Sequence, residues 1–259
     1  METSERATVS DKPHHVTTED GVNIAYRDDG APDAPAILLC SMATAALPVW
    51  DSVTTGLREH WRVIRYDRRG DGDSDPGARE SHTFYRYVRD ATCVLDACGC
   101  RRAVICGMAF GARVAYHLVM ASPERATGLV LFDATGGPPA PEELRKRMHH
   151  EAAEARRRAG IVDTPTDPAW FARRDARGAG LLANALKDLP AWVGGLEAIS
   201  VPTLVACGEF DPNYQSAKRI AAEIPRARFE PMPLTGHASV LDRPDLILKL
   251  IRQFLEDFA

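Results

Sequence analysis

Ala103-Val-Ile-Cys-Gly107-Met-Ala109-Phe-Gly111-Ala-Arg113 reads as a buried strand, a tight turn and the opening of a helix. Glycines two positions either side of the central residue let a strained backbone form and let strand and helix approach closely. An ordinary strand-to-helix turn has no need of glycines at that spacing. The residue at the corner is Ala109, whose methyl group has no atom with which to attack a substrate.

Outward from this corner, short apolar runs alternate with segments of helical periodicity. Residues 16–18 and 22–27 read as a hairpin turned by Glu19-Asp-Gly21. Residues 36–40, 61–66, 102–106, 128–132, 202–207 and 227–230 read as further strands, and 50–60, 83–97, 110–120, 141–158 and 243–258 as helices. Strands alternating with helices imply a mostly parallel sheet covered on both faces. After Asp133 the segment Thr135-Gly-Gly-Pro-Pro139 breaks the pattern, and the sheet resumes only near Pro202. The expected organisation is therefore a core of residues 13–133 and 201–259, a helical lid inserted over 134–200, and a loose tail over 1–12.

The chain of 259 residues is long enough for one sizeable core plus such an insertion. A net charge of -4, with 26% charged and 45% hydrophobic residues, fits a soluble enzyme and gives no electrostatic reason to expect a nucleic-acid or membrane partner. Arg156-Arg-Arg158 lies beside Glu151 and Glu154 and reads as a solvated helix face. Met1-Glu-Thr-Ser-Glu-Arg lacks the apolar stretch of a secretion signal, and no run approaches the roughly 20 apolar residues of a membrane span. Six cysteines without a regular framework suggest a reducing compartment, so the cytoplasm is expected. Cys98-Gly-Cys100 has no accompanying ligand pair, and Cys40, Cys106 and Cys207 close strands, where thiols serve as small buried hydrophobes.

Four signals in a fixed order give the chain a resemblance to the α/β-hydrolase superfamily from about His15 onward. Arg65-Tyr-Asp-Arg-Arg-Gly70-Asp-Gly72-Asp-Ser74-Asp is similar to that family's YDxRGxGxSD loop, with Asp71 where relatives often place histidine. Gly107-Met-Ala109-Phe-Gly111 resembles its GxSxG nucleophile elbow, Gly208-Glu-Phe-Asp211-Pro its acid loop and Thr235-Gly-His237-Ala its histidine loop. The resemblance implies an eight-stranded sheet with a helical lid. It places Ala109 at the nucleophile position, His237 as the base and Asp211 as the carboxylate that orients it, with Asp133 as the fallback acid. The backbone N–H of Phe110 and of Met42 would form the oxyanion hole. The Leu39-Cys-Ser-Met-Ala-Thr44 loop, where the family usually carries His-Gly, resembles that of 3-oxoadipate enol-lactonases.

Ser41, Met108, Phe132, Trp170 and Trp192 are the candidate substrate contacts, and the apolar lid residues Trp170, Phe171, Leu181, Leu182 and Trp192 favour a small hydrophobic or aromatic ester or lactone. Cys40 is expected on the wall of the oxyanion loop, away from the corner where attack would occur. No phosphate-cradling glycine loop and no zinc-binding histidine pair appears, so no cofactor and no metal are expected. The adjacent pairs His14-His15 and His149-His150 point their rings apart. Homodimer formation is left open.

Three readings of Ala109 follow. The natural ester or lactone hydrolase has serine here and the present chain carries a substitution that traps substrate without turnover; or alanine is native and the His237–Asp211 pair acts as a general base without covalent catalysis, as in lyases and cofactor-free dioxygenases of similar plan; or the pocket is a non-catalytic ligand receptor. The intact histidine and acid loops make the first the working reading.

Overall fold

The computed structural model describes residues 12–171, 176–187 and 189–256. The expected tail before Lys12 and residues 257–258 of the expected last helix fall outside them. The eight strands are β1 (His14–Thr17), β2 (Asn23–Asp29), β3 (Ala36–Cys40), β4 (Arg62–Tyr66), β5 (Ala103–Met108), β6 (Ala126–Phe132), β7 (Thr203–Gly208) and β8 (Ala227–Met232). They form one sheet in the order β1-β2-β4-β3-β5-β6-β7-β8. Only the pairings of β2 with β1 and with β4 are antiparallel, and every other neighbour is parallel. Placing β4 outside β3 sets β3 beside β5, with Cys40 opposite Gly107, so the loops that leave these two strands start side by side.

The central strands form because their side chains are apolar on both faces, as parallel strands under two helical layers require. Every residue of β3, β5 and β7 is buried. Their two-residue alternation divides the core. Leu38, Cys40 and Ile105 belong to a cluster on one face, while Ile37, Leu39, Val104, Cys106 and Met108 belong to a cluster on the other.

The helices are α1 (Asp51–Leu57), α2 (Phe84–Ala97), α3 (Phe110–Ala121), α4 (Glu142–Arg158), α5 (Ala176–Leu186), α6 (Tyr214–Glu223), α7 (Ser239–Asp242) and α8 (Pro244–Glu256). Tyr87 and Val88 of α2, Ala112 and Ala115 of α3, and Ala217 and Ile220 of α6 fill the first cluster. Val53 and Leu57 of α1 and Ile247, Ile251 and Phe254 of α8 fill the second. Helix α2 starts where Thr83 Oγ1 accepts the Arg86 N–H at 3.3 Å, an N-cap bond.

Three differences from the sequence expectations have local causes. Helix α6 was not expected, although Ala217, Ile220, Ala221 and Ile224 fall on one helical stripe and are buried. The helix expected over 50–60 spans only Asp51–Leu57: a 3-10 turn, Leu47–Trp50, precedes it, and it ends at the Arg58 cap, whose N–H donates to the Thr54 carbonyl. The last expected helix is joined at its start by the short α7, and Pro244 opens α8 at a position where its missing N–H costs nothing. Helices α4 and α5 both lie in the chain between β6 and β7.

The segment after β4 is a brace. Asp67 accepts the N–H groups of Leu47 (2.7 Å) and Asp73 (2.8 Å), and a Cβ on Gly72 would stand 2.1 Å from its Oδ2. Ser74 Oγ donates to the Asp67 carbonyl at 2.6 Å and accepts the Ala25 N–H at 2.9 Å. Arg69, fully buried, is clasped by both oxygens of Asp90 on α2, at 2.6 and 2.7 Å. The Arg68 guanidinium pairs with Asp71 and lies 4.6 Å from the centre of the Phe110 ring, so the brace supports the start of α3.

Candidate functional site

Ala109 follows β5 and opens α3 with φ 50° and ψ -109°, a conformation that non-glycine residues adopt only under strain of about 1–3 kcal/mol. Its N–H donates to the Phe132 carbonyl at 2.9 Å, which fixes the corner to β6. A Cβ on Gly107 would stand 2.3 Å from the Gly111 carbonyl oxygen, and one on Gly111 would stand 2.1 Å from that of Cys40. Both contacts are backbone, so neither can be relieved by turning a side chain. The two glycines therefore let the first turn of α3 press against the loop that leaves β3.

Asp211, in the loop after β7, is buried and accepts the Asn213 N–H at 2.8 Å. Its other oxygen lies 2.9 Å from Nδ1 of His237, in the loop after β8. These loops are joined through backbone: the Phe210 N–H donates to the Thr235 carbonyl at 2.9 Å, and a Cβ on Gly208 would meet that same oxygen at 2.3 Å. Burial works against the His237 imidazolium, but the Asp211 hydrogen bond and charge, with Asp133 adding to them, outweigh it and raise the ring above the ordinary histidine pKa. Among the described residues nothing bonds Nε2, and the side chain keeps 25% exposure.

Asp133, directly after β6, is fully buried, has φ 52°, and accepts the N–H groups of Ser239 (2.8 Å) and Gly208 (3.4 Å). Burial, with the Asp211 charge second, pushes its carboxyl up to about 7. Donor atoms of Asp133, Asp211 and His237 lie within 4.8 Å of one another, the one group among the described residues with spacing fit for a metal ion. Both carboxylates already accept backbone N–H groups, and Asp211 also holds the ring, so the donor set fits a hydrogen-bonded network better than a cation site.

A cavity of about 450 Å³ opens beside Ala109 and His237. Met42, Thr44 and Phe110 line it from the sheet side, and Pro139, Ala140, Arg145, Leu182 and Leu186 line it from the segment between β6 and β7.

The chain matches the model of the Alpha/beta hydrolase family over residues 45–250. It belongs to that family. It is 27% identical to a putative 2-succinyl-6-hydroxy-2,4-cyclohexadiene-1-carboxylate synthase of Bacillus subtilis, over 93% of this chain and 97% of the relative. It is 24% identical to 3-oxoadipate enol-lactonase 1 of Acinetobacter baylyi, over 93% and 96%. The fold is shared with the crystal structure of the enol-lactonase from Burkholderia xenovorans, with a TM-score of 0.76, 22% identity, and 94% and 100% of the two chains covered.

Of the residues that the hydrolase-family resemblance singled out, Ala109, Phe110, Met42 and His237 meet at the cavity, with Asp211 behind the histidine. Asp133 does not hold the His237 ring; it ties the acid loop to the start of α7. None of the five expected substrate contacts is among the residues that line this cavity. Ser41 Oγ accepts the Trp50 Nε1–H at 3.0 Å and does not line the cavity. Met108 and Phe132 are fully buried on the far face of the sheet, because strand alternation sends them under it. Trp170 packs beside Met42 and Ala109 against that cluster without itself lining the cavity. Trp192 donates to Glu223 at 2.8 Å beneath the Arg219 guanidinium, away from the cavity. Cys40 is buried and its thiol is pushed up to about 12 by that burial, which suits a packing group.

Sequence reasoning missed Arg113 and Arg145 in the cavity wall. The first had a readable signal: a lone cation in the apolar run from Phe110 to Met120. No helix of the described residues is long and apolar enough to cross a membrane, and all six cysteines are free.

Proposed function

We propose that the cavity is the site of a carboxylic ester or lactone hydrolase whose nucleophile position is occupied by Ala109, so that this chain holds substrate without the covalent route to turnover. The observation that carries the reading is the His237–Asp211 pair, 2.9 Å apart and presented to the same cavity as Ala109. In this reading Asp211 fixes the imidazole tautomer, and Nε2 is the base that a hydroxyl at position 109 would need. The N–H of Phe110, first in α3 and so without an intrahelical acceptor, and the N–H of Met42 stabilise the oxyanion. The inserted segment over 134–200 acts as the lid that excludes water.

Ala109→Ser tests it with a panel of aryl esters and lactones. Hydrolysis is expected to rise by about 10³-fold or more over the present chain, since removal of such a nucleophile can cost about 10⁶-fold. A folded Ala109→Ser protein with no gain on any member of the panel refutes the proposal. A second reading is favoured by the unbonded Nε2: His237 acts directly as a general base on an acidic substrate or on water. Turnover by the present chain that vanishes in His237→Ala would select it.

A further inference from the structure

Arg113 is 3% exposed, stands one turn after Ala109 on α3 and lines the cavity. Its guanidinium donates to the Gly137 carbonyl and lies 5.5 Å from the centre of the Phe84 ring, yet among the described residues no carboxylate pairs with it. Burying a cation without a counter-charge is costly, so such a group is retained where something else supplies the charge. Other buried arginines of this protein have theirs: Arg65 pairs with Asp29, Arg68 with Asp71, Arg69 with Asp90 and Arg156 with Asp242. Arg113 is the exception, and it lines the wall between this cavity and the adjoining one bounded by Phe84 and His117.

A second cation, Arg145 on α4, lines the same cavity, while among the described residues no aspartate or glutamate does. Its charge reaches His237 and opposes protonation of the ring. Arg145 is exposed, enters no ion pair among the described residues and stands on the inserted segment. Two arginines thus line the cavity, Arg113 buried and Arg145 exposed.

We infer that the substrate carries a carboxylate, held by Arg113 within the cavity and met at the rim by Arg145, with its reacting carbonyl beside Ala109 and His237. Planar guanidinium groups bind carboxylates through paired hydrogen bonds, and four residues of helix set Ala109 and Arg113 about 6 Å apart along the axis. Side chains on a helix lean toward its N-terminus, so Arg113 reaches back toward the corner. Charge and reacting group are therefore a few bonds apart, as in the half-ester or lactone of a short dicarboxylic acid. Leu182, Leu186 and Phe110 cover the carbon chain between them. This inference rests on the hydrolase reading and names its substrate class.

The test is calorimetric binding of monomethyl adipate and dimethyl adipate to the chain with Ala109 in place, where no acyl-enzyme forms. The half-ester is expected to bind at least about tenfold more tightly than the diester, the scale of a hydrogen-bonded charge. In Arg113→Met that preference should fall below about threefold, with diester affinity retained, and in Arg145→Ala it should weaken less. Equal binding of the two esters, or a preference that survives Arg113→Met, overturns the inference. So does tighter binding of a phosphonate of matched length. If Arg113→Met does not fold, Arg113→Lys serves, since losing the planar fork should lower the preference and an unchanged one counts against the inference. The two readings fail separately. An Ala109→Ser enzyme that cleaves neutral and anionic esters alike keeps the hydrolase and removes the carboxylate site. Arg113-dependent binding of the half-ester, with no hydrolysis by Ala109→Ser, does the reverse.

Discussion

Gly111→Ala should unsettle both the fold and the site. A Cβ there would stand 2.1 Å from the Cys40 carbonyl and 2.5 Å from that of Ser41, more than 1 Å inside ordinary contact for the nearer oxygen. Neither oxygen belongs to a movable side chain, so α3 must retreat from the β3 loop. Overpacking of this kind costs about 3 kcal/mol, at the upper end of the usual range. For a chain of this size, each kcal/mol lowers the melting temperature by about 2–4 °C, so the loss should be roughly 6–12 °C. Gly180→Ala is the matched control. Gly180 lies in α5 with nothing within 4 Å of an added Cβ, and alanine there should stabilise by about 0.5–1 kcal/mol. Because the retreat also separates the Phe110 N–H from Met42, an Ala109→Ser enzyme carrying Gly111→Ala should lose about 10²-fold in kcat/KM, as misplacement by 1 Å can. Thermal melts followed by circular dichroism, with ester kinetics, read both effects. A Gly111→Ala protein melting within about 2 °C of its parent would refute the close approach of α3 to the β3 loop.

Two further outcomes follow. Because Asp211 raises the His237 pKa, the imidazole becomes a free base only above its ordinary range. The rate of Ala109→Ser should therefore climb with pH along a limb centred above pH 6.5, and Asp211→Asn should move that limb down while lowering the plateau. The same pair stabilises the fold fully below pH 6.5, and that increment is lost as pH rises through the folded-state pKa. Asp90→Asn leaves the buried Arg69 short of its counter-charge, and urea unfolding should report a loss of about 3–5 kcal/mol; a change under about 1 kcal/mol would show that Asp20 alone suffices.

How much of this was legible depended on whether a residue's role is local. The runs that became β3, β5, β6 and β7 were readable because a strand buried on both faces must be apolar throughout. The Ala109 corner was readable because its glycines are demanded by steric contact. The pairing of His237 with Asp211 could be inferred only from the order of loops, since residues 26 apart meet through the register of β7 and β8. The cavity wall was the least legible part. Met108 adjoins Ala109 in sequence yet points to the other face, and Trp192 spends its indole N–H on Glu223. Arg113 carried a signal in composition alone, whose meaning depended on the absence of a nearby acid, a fact of three dimensions.

The bonds from Ser239 to Asp133 and from Phe210 to Thr235 secure the imidazole without recourse to the corner that faces it. Exchange of a single atom group at position 109 therefore leaves the proton acceptor's mooring intact. On the proposed reading, holding a substrate and breaking it fall to separate parts of the architecture, so that the second can be lost while the first is kept.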